Sequence, residues 1–75
     1  METILSIKKN IEFKILKINS DDSIKQKLFN MGVHPNDKYI KTMGKGPVVI
    51  KNISHNSTQI ALGSDLASLI AIEIV

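Results

Sequence analysis

The sequence predicts a mainly β protein, a small and strongly bent antiparallel barrel of five strands. One short α-helix follows the first strand and a short helical turn precedes the last. Three observations predict it. Five short segments rich in β-formers are separated by clusters of turn residues. A single stretch, with Ile24, Leu28 and Met31 at i, i+4 and i+7, has helical spacing, and it stops on Gly32. The first strand changes its alternation phase by one residue, the mark of a bulge in a sheet that curls.

In residues 11–15, Ile11, Phe13 and Ile15 alternate with Glu12 and Lys14, which predicts a strand with one buried face. Leu16, Lys17 and Ile18 continue it with the apolar phase moved by one, so a bulge or sharp bend is expected between Ile15 and Leu16. Asn19, Ser20, Asp21, Asp22 and Ser23 are cap formers, and the aspartates favour the positive end of a following helix. That helix spans fewer than three turns and must pack its stripe on the sheet to persist. Gly32 stands where a left-handed residue ends a helix, Val33 closes a hydrophobic contact back onto Leu28, and Pro35 prevents resumption. Residues 37–43 read as the second strand, although their alternation is imperfect. A turn over residues 44–47 leads to a third strand at 48–53, a hairpin connection at 54–57 and a fourth strand at 58–62. Gly63, Ser64 and Asp65 turn the chain, with Ser64 expected to cap a helical turn over 65–68. Ile70, Ile72 and Ile74, with Ala71 and Glu73 opposite, form the fifth strand. One inserted helix and five strands fit an SH3-like barrel; a split-sheet α+β fold would want a second full-length helix.

The 75 residues are read as one domain, 1–75, that buries roughly 60% of its unfolded surface. There is no cysteine, hence no disulfide or thiolate metal site to reinforce the core. The first nine residues lack a basic start followed by an apolar run, and no apolar stretch approaches the ~20 residues that span a bilayer, so a cytoplasmic protein without membrane insertion is expected. The net charge of +3 invites a nucleic-acid reading. Against it, every basic residue is a lysine, which removes the guanidinium fork, and Phe13, Phe29 and Tyr39 are too dispersed for a base-stacking platform. A solvated lysine surface accounts for the charge more simply.

No catalytic constellation is legible. The glycines at 44 and 46 lack the spacing of a phosphate loop and lead into a strand. His34 and His55 invite a metal reading, but a site needs converging ligands and neither has a partner at ligand spacing, so no metal ligand and no cofactor is assigned. Phe29 falls off the helical stripe. With Val33 and Met43 it is a candidate exposed apolar patch, the alternative being that Phe29 folds over the barrel end.

These residues resemble the FeoA family of small proteins associated with ferrous-iron uptake. The resemblance covers nearly the whole chain. Its most specific part is Leu28-Phe29-Asn30-Met31-Gly32-Val33-His34-Pro35-Asn36, which is similar to the family's L-x-x-[ML]-G-[IL]-x-P-G element. Weaker matches are Leu5-Ser6-Ile7 before the first strand, Gly46-Pro47-Val48 leading into the third, and Ile60-Ala61-Leu62 with Ala67, Ile70 and Ile72 at the end. Asn10 and Asn36 stand where the family usually has glycine, and Asn is the non-glycine residue that best tolerates positive φ. Gly63 stands where an arginine is common. The resemblance implies an SH3-like barrel without enzymatic activity, acting with FeoB, the membrane ferrous-iron transporter that carries a cytoplasmic G-domain. On that basis the partner groove is expected between the helix and the adjoining strands. Its contacts would come from Phe29, Val33 and Met43, with lysines such as Lys41 and Lys45 on the rim for an acidic partner. The alternatives are a small basic barrel that binds nucleic acid and direct metal binding through the histidines. Self-association through an exposed edge strand is a further expectation.

Overall fold

A computed structural model describes residues 2–44, 47–55 and 57–75. The elements are β1 (Glu12–Ile18), α1 (Asp22–Met31), β2 (Lys38–Met43), β3 (Val48–Asn52), β4 (Gln59–Leu62), α2 (Ser64–Ala67) and β5 (Ile70–Ile74). They form one antiparallel sheet in the order β4-β3-β2-β1-β5. The mainly β, SH3-like arrangement is the one predicted.

Period-two alternation sets the core. Phe13 and Ile15 of β1, Val48 and Ile50 of β3, and Ile60 and Leu62 of β4 point inward and are buried. Phe13 lies opposite Tyr39 of β2, their rings stacked with centroids 5.9 Å apart. In the pairing of β1 with β5, Ile15 faces Ile72 while Lys17 faces Ala71, so Leu16 is the extra residue of the expected bulge. The bulge turns Leu16 and Lys17, two consecutive side chains, to solvent. A second register shift, between Lys41 and Met43 on β2, underlies the imperfect alternation there.

Helix α1 begins where its sequence dictates. The Asp21 carboxylate accepts the Ile24 N–H at 3.0 Å, satisfying one of the first-turn donors. At the other end Gly32 has φ 106°, the Gly32 N–H donates to the Phe29 carbonyl and the Val33 N–H donates to the Leu28 carbonyl. This is the Schellman pair of bonds, and it carries Val33 into the core beside Leu28, both fully buried. Asn10 and Asn36 take positive φ of 72° and 73°, as their place in glycine positions requires.

Three features depart from expectation. The segment before β1 is built into the fold: Thr3 bridges Ala71, the Ile72 N–H donates to the Glu2 carbonyl and the Ile4 N–H to the Ile70 carbonyl. It covers the outer edge of β5 from Ile70 to Ile72 and buries Ile4 and Ile7. Under this cover Ala71 is buried rather than outward, whereas Ile74, beyond it, is half exposed. Ser64 does not cap α2: Gly63 is the N-cap, its carbonyl accepts the Ala67 N–H at 3.0 Å, and no side chain caps the turn. The turn predicted over 44–47 includes residues 45 and 46, and the hairpin connection includes residue 56; these lie outside the described residues. Among the described residues no helix is long and apolar enough to cross a membrane.

Candidate docking site

Between α1 and β1 lies a hollow of about 500 Å³. Leu16 and Ile18 form one side, Phe29 and Pro35 the other, and Lys17 and Lys25 stand at its margin. Leu16 is there because of the bulge. Phe29 is there because it follows Leu28 by one position, about 100° further round the helix, and so leaves the buried stripe. Both are about half exposed, at 52% and 53%. The Phe29 ring is held in place from behind: its centroid is 4.4 Å from that of His34, tilted by 44°. The His34 Nε2 is 3.1 Å from the Phe29 carbonyl, and because a carbonyl only accepts, that nitrogen carries the proton.

A second hollow of about 570 Å³ lies between the N-terminal segment and the end of β2. Leu5, Ile7 and Met43 supply its apolar lining, Lys8 and Lys9 its exposed charge, and Lys41 lies at its floor. Phe29 and Met43 are both exposed, and they line different hollows.

Two expected contact residues are corrected. Val33 belongs to the lining of the hollow between α1 and β1, but only as its floor: the Schellman closure that ends α1 folds it under the helix, where it is fully buried. Lys41 is only 3% exposed. It shares the inward face of β2 with Tyr39, and its ammonium donates to the carbonyls of Ile4 at 2.9 Å, Leu5 at 3.2 Å and Ile7 at 2.6 Å. Burial pushes its pKa below the ordinary lysine value. It is a pin for the N-terminal segment and not a rim charge. Lys45 lies outside the described residues.

A polar cluster beneath the turn after α1 escaped the sequence. Asp37 takes the Asn52 side-chain N–H at 3.1 Å and stands 3.7 Å from His34 Nδ1 and 3.6 Å from His55 Nε2. The Tyr39 hydroxyl donates to the Gly32 carbonyl at 2.7 Å and accepts the His34 backbone N–H at 2.9 Å. Burial, foremost, raises the pKa of that phenol. The cluster braces the turn from the helix to β2. Among the described residues no three His, Cys, Asp or Glu side chains are arranged to hold a metal ion. The two larger hollows are concave apolar areas with lysines in their linings and no acidic residue in either.

Comparison with known proteins places this architecture. No curated protein matches the chain. Among solved structures it is similar to a crystal structure described as an iron uptake regulatory protein, FeoA, at 19% identity, covering 97% of this chain and 95% of that one with a TM-score of 0.85. A FeoA protein from Chlorobium tepidum is similar at 12% identity over 99% of this chain and 70% of that one, with a TM-score of 0.83. An iron(II) transport protein A from Clostridium thermocellum is similar at 22% identity over 99% of this chain and 46% of that one, also with a TM-score of 0.83. At such identities the likeness is one of fold. The FeoA domain model matches residues 3–74, and the chain therefore belongs to the FeoA domain family.

Proposed function

We propose that this chain is a non-catalytic accessory or regulatory protein of ferrous-iron uptake, acting in the cytoplasm by docking on the cytoplasmic part of a FeoB-like membrane transporter. The observation that carries the reading is the FeoA domain match over residues 3–74, which takes up all but the ends of the sequence. The similar structures, described as iron uptake and iron(II) transport proteins, support the same process. The surface supports docking: half-exposed Leu16, Phe29 and Met43 are set in lysine-margined hollows, the kind of exposed apolar area that marks partner sites.

The test is retention of the chain on the immobilised cytoplasmic domain of the cognate transporter, with GDP, with a GTP analogue and without nucleotide. Retention in at least one state is expected. Absence of retention in all three, in buffer of low salt, overturns the reading. The lysine excess is the one feature that favours a nucleic-acid-binding barrel; that alternative predicts association with DNA or RNA that weakens steeply with salt.

A further inference from the structure

Resting on that reading, we propose that the hollow between α1 and β1 is the docking surface, and that its occupant is an acidic segment of the transporter's cytoplasmic part bearing one large apolar side chain. Two independent irregularities of the fold converge on this hollow. The bulge in β1 turns Leu16 and Lys17 outward together, where regular alternation would send one of them inward. On the facing helix, Phe29 stands off the buried stripe and Lys25 lies one turn before it. A small domain with a modest core has every reason to bury a phenylalanine and a leucine. Here both are left about half exposed in the lining of one concavity.

Charge selects the occupant. Lys17 and Lys25 both belong to the lining, which has no carboxylate. Of the nearest acids by sequence, Asp21 is engaged as the helix cap, and Asp22, one turn before Lys25 on α1, lies outside the lining. An acidic segment therefore meets complementary charge at the margin and an apolar floor beneath it. A second copy of this chain, with a net charge of +3, does not.

The other hollow has similar composition but a different build. Its apolar projection is Met43, an unbranched and adaptable side chain. Phe29 has few rotatable bonds and is backed by the His34 ring at 4.4 Å, so less freedom is lost when a partner closes on it. Aromatic side chains, phenylalanine among them, are enriched at protein interfaces.

The experiment measures binding of the full chain to the transporter's purified cytoplasmic domain by fluorescence anisotropy. It compares wild type with Phe29→Ser, with the double variant Lys17→Glu and Lys25→Glu, and with Met43→Ser. All substituted side chains are exposed, and thermal melts verify folding. The proposal expects Phe29→Ser and the double lysine variant each to weaken binding at least tenfold, Met43→Ser to stay within twofold, and wild-type binding to weaken with salt. If Met43→Ser loses binding while Phe29→Ser keeps it, docking stands and this surface is wrong. If wild type does not bind at all, the docking reading itself fails. If wild type self-associates and Phe29→Ser abolishes that, the occupant is a second copy and the proposal is overturned.

Discussion

Replacing Lys41 by methionine tests the least expected part of the structure. The substitution keeps a stem of similar volume in the core and removes the ammonium that donates to the Ile4, Leu5 and Ile7 carbonyls. The Leu5 contact is partly exposed, so water can replace it, whereas the contacts to Ile4 and Ile7 are buried. Each carbonyl left without a donor costs about 1–3 kcal/mol. Relief of the ammonium's desolvation offsets part of this, and no charge is left behind, so what remains is the cost of the two buried carbonyls. The net expectation is a destabilisation of about 2–4 kcal/mol. A chain of this length has on the order of 4–11 kcal/mol in total, so the melting temperature should fall by about 10–25 °C. Hydrogen exchange localises the effect: the amides of Ile4 and Ile72, which tie residues 2–4 to β5, should lose protection before those of β3. A variant within about 0.5 kcal/mol of wild type, with those amides still protected, would refute the assignment of Lys41 as the pin.

The two ends of α1 and the turn that follows it make further predictions, each read by chemical denaturation. Gly32→Ala should lose about 1 kcal/mol or more, since the residue sits at φ 106° and the new methyl would meet Ile60 at 3.3 Å; Asn36→Gly, at φ 73°, should stay within about 0.5 kcal/mol of wild type. Asp21→Ala removes the bond to the Ile24 N–H and should cost about 1 kcal/mol. Tyr39→Phe should change the alkaline behaviour. The raised pKa of Tyr39 means that the folded chain keeps the phenolic proton where the unfolded chain has lost it. Its contribution is therefore complete below the ordinary value of 10.0 and is lost as pH climbs above it. The stability difference between wild type and Tyr39→Phe should shrink above that pH, and a constant difference would contradict the burial of the phenol.

Most of the fold was legible because local chemistry and tertiary structure agree. The phase change at Leu16 announced the bulge, Asp21 and Gly32 announced both ends of α1, and the asparagines at 10 and 36 took the backbone expected of glycine positions. The docking site was read less well. Val33 does line the hollow, but the contact that closes the helix requires its burial beside Leu28 and leaves it no exposed surface. Charge alone puts Lys41 at the rim. Alternation carried the contrary signal, because Tyr39 and Lys41 are two residues apart on one strand and share a face. What no local pattern shows is the reason a lysine is tolerated inside: its acceptors are carbonyls 34 to 37 residues earlier in the chain. The same holds for Asp37 between His34 and His55, brought together only when the β3–β4 connection folds against the turn after α1. Leu16 and Lys17 were visible as a bulge; that it faces the off-stripe Phe29 follows from packing alone.

The measurement that bears most directly on function is ferrous-iron uptake by cells that retain the transporter but lack this chain. The account predicts an uptake rate that differs from that of intact cells, returns on restoring the wild-type chain, and does not return with Phe29→Ser. An uptake rate that is the same with and without the chain would contradict an accessory or regulatory role in ferrous-iron uptake.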